Sequence, residues 1–367
     1  MTSRTQEGAR SAAVRLASVG RGSRSRTWRL FAALSLVVPL LVVYVAVLIA
    51  SGAGASVNIQ TRYALVNLVI VVGLQLFSGN SGVLSFGHIA FVAVGAWTMG
   101  LLSISPVLKQ NILPDIFPFL AKAQAGTLTA LLLAAAVGGL LALVVAPFLM
   151  RLDGLQAGIA TFALLGVVTQ VLTYWTRIAP PSGQSLVGIP KSIDLQMLLL
   201  LALGAIVVSW LYSRSRSARL LRASREDGIA APGVGINTTL HRVIAFGLSG
   251  VVCGVGGAMF AVTNTVLQAS QLSVGFTFTI IAMLVLGGTQ SVWGAVVGTL
   301  VYSLLDGVLL RAQSGLTVGN LVFTLPESLR PVLLGLLVVA VLILRPSGLT
   351  GGREAGVPGW LRRGSNY

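Results

Sequence analysis

The sequence predicts an all-α, polytopic membrane protein of about ten transmembrane helices, and three observations lead to this fold class. Apolar residues make up 55% of the 367 residues and charged residues only 9%, against roughly 25% charged in a soluble domain. Apolar runs of about 20 residues, the length that crosses a bilayer, recur along the chain. Basic residues flank these runs, as they do in cytoplasmic loops.

Windows of about 20 residues locate the predicted spans. They lie near 30–50, 63–78, 83–104, 127–150, 155–177, 195–213, 240–263, 273–288, 291–310 and 329–345. The second and eighth are the weakest predictions, because their apolar runs are short. The predicted domains are a basic tail over 1–29, a transmembrane domain over 30–345 and a C-terminal tail over 346–367.

The net charge of +16 comes mainly from arginines in the N-terminal tail, between Arg214 and Arg225, and from Arg345 onward. With an even number of spans, all three clusters fall on one face of the membrane. This excess of basic residues predicts that both termini are cytoplasmic. Anionic lipid headgroups explain the charge better than a nucleic acid does. An organelle transit peptide is the alternative for the tail, although no small-residue cleavage site follows the first apolar run.

The order of the spans also fits two inverted repeats, with spans two to five corresponding to spans seven to ten. Repeats of this kind place a translocation pathway at their interface. The basis is topological, since the halves share no clear sequence identity. The repeat is therefore a hypothesis about architecture alone.

Two sets of glycines recur at helical spacing: Gly247, Gly250, Gly254 and Gly257 in span seven, and Gly294 and Gly298 in span nine. Small residues three or four apart share one helix face and let two backbones approach closely in lipid. We interpret both sets as helix-packing faces. Direct contact with a transported solute is the alternative.

Residues 217–237 read SARLLRASREDGIAAPGVGIN, join two spans and are too polar to enter lipid. The first part can form a helix, and the second part is small, apolar and followed by a glycine turn. A helix of this kind suits a groove on a soluble partner. A connecting loop anchored by arginines explains the same residues equally well.

Polar groups interrupt the membrane domain at Asn80, Ser81, Ser85 and His88. Such groups cannot face lipid without partners. One interpretation is a broken helix that lines a translocation pathway. The other is local capping by Ser85 and tethering of neighbouring helices by His88.

Two further polar residues belong to the predicted pathway. Asn264 lies near the outer end of span seven, and Asp306 lies inside span nine. An acidic residue within the membrane indicates function by default. Pairing of Asp306 with Arg311, about one turn beyond the span, is the alternative.

Four motifs occur in order along the chain. They are Arg222-Ala-Ser-Arg-Glu-Asp-Gly-Ile-Ala-Ala231 with Gly235-Ile236-Asn237, the run SGNSGVLSFGHIAF over 78–91, LGGTQSVWG over 286–294 and RPSGL over 345–349. Together they resemble the branched-chain amino-acid permeases of the LivM type. The chain departs from that pattern at Gly228, where an acid is common, and at Pro232.

The resemblance implies a type II ABC importer-like permease subunit that carries branched-chain or related amino acids across a bacterial cytoplasmic membrane. In that family the segment corresponding to 217–237 docks onto an ATPase subunit. The resemblance therefore assigns coupling to Arg222, Arg225, Glu226, Asp227, Ala230, Ala231 and Gly235. The implied partners are a second homologous permease, two ATPases and an extracytoplasmic solute-binding protein.

The sequence also allows functions other than amino-acid import. The same family handles urea and short amides, and sugar permeases have a similar architecture. An ATPase-independent channel or secondary transporter is the alternative class, but it would normally need more paired charges in the membrane. Scaffolding without transport is a third, weaker option.

Composition and motifs exclude several kinds of chemistry. The chain has no GxxxxGK[ST] P-loop, so we expect ATP to bind a partner subunit and no cofactor to bind this chain. Its two histidines and nine acids show no metal-ligand spacing and no catalytic triad. The one cysteine, Cys253, cannot form an internal disulfide. We therefore expect a transport subunit and not an enzyme.

Overall fold

The computed structural model describes residues 34–52, 54–181, 184–228, 230–313, 316–318, 321–323, 326 and 329–355. The predicted basic tail and the last part of the predicted C-terminal tail lie outside these residues. The domain limits proposed from the sequence therefore stay a prediction.

Ten apolar helices make up most of the described chain. Seven are long and apolar enough to cross a membrane: α1 (Leu34–Ser51), α2 (Ala55–Ser81), α6 (Thr127–Leu149), α7 (Gly154–Tyr174), α8 (Leu195–Arg214), α11 (Thr238–Asn264) and α13 (Val292–Gln313). Three are shorter: α3 (His88–Ser103), α12 (Val274–Gly287) and α14 (Leu329–Leu344). The protein is therefore a multi-pass membrane protein, as predicted.

Short elements connect these helices. They are α4 (Pro106–Ile112), α5 (Pro118–Lys122), α9 (Arg216–Glu226), α10 (Ala230–Gly233), the 3₁₀ turn Ala269–Leu272, and strands β1 (Leu316–Val318) and β2 (Leu321–Phe323). The two strands pair antiparallel and were not predicted. They leave the all-α fold class unchanged.

The ten predicted spans coincide one for one with the ten apolar helices, but the second was judged wrongly. It was expected to be short, whereas α2 has 27 residues. The helix continues into a polar first part because neighbouring loops supply partners there. For example, Arg62 donates from Nη1 to the Ile193 carbonyl at 3.0 Å. The eighth span is short as expected, since α12 has 14 residues.

The first and last described segments lie at the same end of the helix bundle as α9. Arg214, at the end of α8, donates from Nη2 to Ser35 Oγ, near the start of α1, at 3.0 Å. The segment that follows α14 returns to the start of α13, where Glu354 accepts a hydrogen bond from the Val292 backbone N–H at 3.0 Å. We call this the α9 end and the other the opposite end.

Helix α11 lies at the centre of the bundle and packs on α2, α3 and α6. A Cβ added at Gly250 would lie 2.9 Å from the Gly138 carbonyl oxygen, and one at Gly254 would lie 3.1 Å from Ala135 Cα. Both contacts are with α6. Because the approach is backbone to backbone, a larger residue would force these two helices apart.

The other predicted packing glycines also lie at close contacts. A Cβ at Gly247 would lie 2.9 Å from Leu143 Cγ of α6. One at Gly257 would meet the α3 backbone. Gly294 and Gly298 lie against the last turns of α12, and a Cβ at Gly298 would lie 2.6 Å from the Gly287 nitrogen.

The lengths of the helices follow the same order in the two halves of the chain. Helices α2 and α11 each have 27 residues, and each is followed by a short apolar helix, of 16 residues in α3 and 14 in α12. A helix of 23 residues, α6, or of 22 residues, α13, comes next. This order supports the inverted repeat, which stays a prediction.

Candidate functional site

Helix α9 lies across the ends of α2, α8 and α11. It begins at Ser215, whose Oγ accepts a hydrogen bond from the Ala218 backbone N–H at 3.1 Å and so caps the helix. Ala218, Leu221 and Ser224 are buried against the bundle. The opposite face of α9 carries exposed residues, so this helix is amphipathic and half-embedded at the end of the bundle.

Arg222 joins three helices at this end. Its Nη1 donates to Asn80 Oδ1 in the last turn of α2 at 2.7 Å, and its Nη2 donates to the Ser213 carbonyl of α8 at 2.7 Å. Burial lowers the pKa of the guanidinium, while the nearby Glu354 carboxylate raises it. An arginine nevertheless stays charged in proteins, so both contacts are charge-assisted hydrogen bonds.

Arg225 holds the same end of α2 from one turn further along α9. Its Nη1 donates to the Gly79 carbonyl at 3.2 Å, and its Nη2 donates to Glu226 Oε1 at 3.2 Å. The aliphatic part of its side chain lies over Gly82, where a Cβ would come 2.5 Å from Arg225 Cγ. Gly82 also has φ 73°, a backbone conformation that favours glycine. Both the contact with Arg225 and the backbone conformation therefore disfavour any other residue at this position.

The rest of the predicted coupling segment forms a tight turn at the surface. Asp227 Oδ1 accepts a hydrogen bond from the Ala230 backbone N–H at 2.9 Å, and Ala231 is buried. Gly235 adopts φ 80° and closes the turn. Glu226, Asp227 and Ala230 are exposed, so a partner could reach them without displacing the contacts of Arg222 and Arg225 with α2.

Three polar residues where α2 gives way to α3, Ser81, Ser85 and His88, are buried and make local contacts. Ser81 Oγ accepts a hydrogen bond from the Val83 backbone N–H at 3.2 Å. Ser85 Oγ lies 2.7 Å from His88 Nδ1. The His88 ring also lies among three phenylalanine rings, with centroids 5.3 to 5.8 Å away. These contacts are those expected for capping and tethering, and the pathway role of Ser81, Ser85 and His88 stays a prediction.

Asn80 differs from these three because it lines a cavity of about 510 Å³ at the α9 end. Five arginines and one carboxylate line this cavity: Arg214, Arg219, Arg222, Arg225, Arg353 and Glu354. Its potential is therefore strongly positive. The α9 end thus combines the arginine contacts to α2 with a basic recess.

The segment after α14 closes this end of the bundle. The backbone N–H groups of Leu349 and Thr350 donate to the carbonyls of Leu286 and Gly287 at 2.9 and 3.1 Å. Glu354 accepts from the first backbone N–H groups of α13, where a carboxylate is favoured by the helix dipole. Burial raises the pKa of Glu354, and these N–H donors lower it. Residues 349–354, which begin at the last residue of the RPSGL motif, therefore hold the turn between α12 and α13 in place.

The opposite end contains a second and larger cavity, of about 830 Å³. Asp306 of α13 and Arg330 of α14 line it and pair with each other through two hydrogen bonds. Arg330 Nε donates to Asp306 Oδ1 at 2.7 Å, and Nη2 donates to Oδ2 at 2.5 Å. Asn264 lies beside this cavity, since its Oδ1 accepts a hydrogen bond at 3.1 Å from Tyr63, which lines the cavity.

Asp306 was a predicted site residue, whereas Arg330 and Glu354 were not predicted. The only available signal was that each is a charged residue close to the end of an apolar run. Within the described residues, no three His, Cys, Asp or Glu side chains lie together as metal ligands would.

These features define a multi-pass helical membrane protein with a basic recess at one end and a polar cavity at the other. Residues 60–342 match the family described as branched-chain amino acid transport system / permease component, and the chain belongs to this family. No solved structure matches the chain.

Two kinds of relatives stand out. The chain is 26% identical over 329 residues to the high-affinity branched-chain amino acid transport system permease protein LivM of Salmonella typhimurium, covering 80% of this chain and 69% of that protein. It is 27% identical over 171 residues to the autoinducer 2 import system permease protein LsrC of Shigella flexneri and of Escherichia coli. The second match covers 42% of this chain and 48% of LsrC, about half its length.

Proposed function

We propose that this chain is the permease subunit of an ATP-driven importer that carries branched-chain or related amino acids across a bacterial cytoplasmic membrane. The family match and the likeness to LivM support the permease function and the substrate class. The excess of basic residues at the α9 end supports a cytoplasmic position for that end and for both termini.

The contacts of Arg222 and Arg225 with α2 carry the coupling part of the proposal. Three hydrogen bonds attach these arginines to the Asn80 side chain, the Gly79 carbonyl and the Ser213 carbonyl. Hydrogen bonds to charged groups contribute about 1.5–3 kcal/mol each. A partner that moves the exposed part of α9 would therefore move the end of α2, a helix that runs the length of the bundle.

The chain needs partners to perform this transport. One of the two ATPase subunits would dock on the exposed residues Glu226, Asp227 and Ala230 and on the turn at Gly235, and both ATPases would bind and hydrolyse ATP. A second homologous permease would complete the pathway, and an extracytoplasmic solute-binding protein would deliver the solute. ATP-driven movement produces net transport because the solute binds the inward-open and outward-open states with different affinities.

The test measures ATP-driven leucine uptake by proteoliposomes that contain the full chain with its partner subunits. We expect Arg222→Ala to reduce uptake strongly while the ATPases still bind, because Arg222 lies beneath the docking residues. Arg216→Ala is the matched control, since Arg216 is an exposed arginine of the same helix. Equal uptake by the wild type and Arg222→Ala would refute the coupling role, and loss of uptake in Arg216→Ala would show that any arginine of α9 matters.

A second substrate class has a specific observation in its favour. About half of LsrC, a permease of an autoinducer 2 import system, matches 42% of this chain. A solute other than an amino acid is therefore the competing proposal, together with urea or short amides. Competition for uptake among leucine, urea, acetamide and autoinducer 2 distinguishes them, because only the true solute class inhibits at low concentration.

A further inference from the structure

The opposite-end cavity has the size and the lining of a small-molecule site. Its volume of about 830 Å³ falls within the roughly 300–1,000 Å³ of ligand pockets. One wall is apolar, with Phe260 and Phe276 ring centroids 5.6 Å apart and with Met283 and Leu334 beside them. A hydrocarbon group would fit against this wall.

The charged wall consists of the Asp306–Arg330 pair. The two side chains are about 30% exposed, at 30% and 31%, so both stay accessible from the cavity. Each carboxylate oxygen accepts one hydrogen bond from Arg330 and can accept another. The guanidinium has five N–H donors, of which the pair uses one on Nε and one on Nη2. The pair can therefore bind an ammonium group and a carboxylate at the same time.

A neutral zwitterion suits this wall better than a charged or uncharged solute. The charges of the ion pair cancel, so a solute with a net charge would leave an uncompensated charge in the membrane. An uncharged amide or sugar would offer no charged group to either member of the pair, so its hydrogen bonds to them would be weaker. Ser303 adds a polar group, since it lines the cavity and its buried Oγ has no hydrogen-bond partner among the described residues.

We infer that this cavity binds an α-amino acid with an apolar side chain, the ammonium on Asp306, the carboxylate on Arg330 and the hydrocarbon against Phe260 and Phe276. This inference rests on the proposed function, because it assigns the amino acid a binding site within the permease. It also predicts which parts of the solute are recognised: both charged groups are required.

The test uses cysteine protection in the full chain, reconstituted in nanodiscs with its partner subunits. The chain has one cysteine, Cys253, which is buried, so an introduced thiol can be followed alone. Thr279→Cys places a thiol in the cavity wall. Thr173→Cys is the matched control, since Thr173 is also half-buried and also bonds the carbonyl four residues earlier, but lies on α7. A neutral maleimide is the reagent.

We expect leucine to slow modification of Thr279→Cys about tenfold at ten times its dissociation constant, because protection follows 1 + [L]/Kd. Leucinamide, which lacks the carboxylate, and 4-methylpentanoate, which lacks the ammonium, should give no protection at the same concentration. Thr173→Cys should react at the same rate with and without leucine. Adding Arg330→Gln to Thr279→Cys should abolish protection by leucine.

Absence of protection by leucine, or equal protection by leucinamide, would overturn the inference. Protection by urea or ribose instead of leucine would also overturn it. The comparison of ligands needs no variant of the ion pair, so it holds even if Arg330→Gln misfolds. If leucine does not protect Thr279→Cys but ATP-driven leucine uptake is intact, the binding site is refuted and the proposed function stands. If leucine protects Thr279→Cys but no ATP-driven uptake occurs, the proposed function is refuted and the binding site stands.

Discussion

Gly257→Ala should weaken the contact between α3 and α11 by an amount that the structure allows to be estimated. A Cβ at Gly257 would lie 2.8 Å from the Ala96 nitrogen and 2.9 Å from the Val92 carbonyl carbon. Both atoms belong to the α3 backbone and cannot rotate away. Carbon contacts are optimal at about 3.5–4.0 Å, so the two helices would have to separate locally by about 0.6 Å or more.

The cost follows from two opposing terms. Overpacking of this kind costs typically about 1–3 kcal/mol, and we expect the upper end because the obstruction is backbone. Replacing glycine by alanine within a helix stabilises the helix by about 1 kcal/mol. The net loss in the free energy of unfolding should therefore be about 2 kcal/mol.

Gly166→Ala is the matched control, because nothing lies within 4 Å of a Cβ at that position of α7. It should gain up to about 1 kcal/mol from helix propensity. Unfolding by SDS in mixed micelles, followed by circular dichroism, measures both variants against the wild type. If Gly257→Ala and Gly166→Ala unfold at the same SDS fraction, the close packing of α3 on α11 does not stabilise the protein as described.

Two further predictions concern charged residues outside the membrane spans. Burial raises the pKa of Glu354 above its ordinary 4.5, so the stability it contributes is complete below that value and is lost as the pH rises through the folded-state pKa. As the pH rises above about 4.5, the free energy of unfolding of Glu354→Gln should therefore fall less than that of the wild type. Parallel curves of unfolding free energy against pH for the two proteins would contradict this. Lys109 is fully buried and donates from Nζ to the Leu120 and Ala123 carbonyls. Lys109→Ala should lower the free energy of unfolding by about 3 kcal/mol, whereas Lys122→Ala, at an exposed position, should leave it unchanged in the same SDS assay.

Hydropathy predicted the number and order of the apolar helices because each span leaves its signal in about 20 consecutive residues. The same method misjudged α2. Its first turns contain Asn58, Gln60 and Arg62, which lower the hydropathy of a window but remain helical when neighbouring segments supply polar partners. The length of a span is a local property, whereas the length of its helix depends on contacts made elsewhere.

The sites were less predictable because their partners are distant in sequence. Arg222 was assigned to an ATPase interface, and its contact with Asn80, 142 residues away, could not be read from either motif. Asp306 was expected to act in transport or to pair with Arg311, and its partner in the structure is Arg330 of α14. Family motifs located the segments that contain Arg222 and Asn80, but neither Asp306 nor Arg330 lies in such a motif. Only the packing of α2 against α9, and of α13 against α14, brings the members of each pair together.

Helix α14 is anchored mainly at its two ends. Leu334 is its buried residue among those described, while Arg330 ties one end to α13 and the returning segment near Leu349 ties the other to α12. Its 16 residues span about 24 Å, less than the roughly 30 Å of a bilayer's hydrocarbon core. Local thinning of the lipid beside α14 would match the bilayer to this length. The length of the lipid acyl chains should consequently affect the stability of the protein at α14. The protein should be more stable in thinner bilayers than in thicker ones.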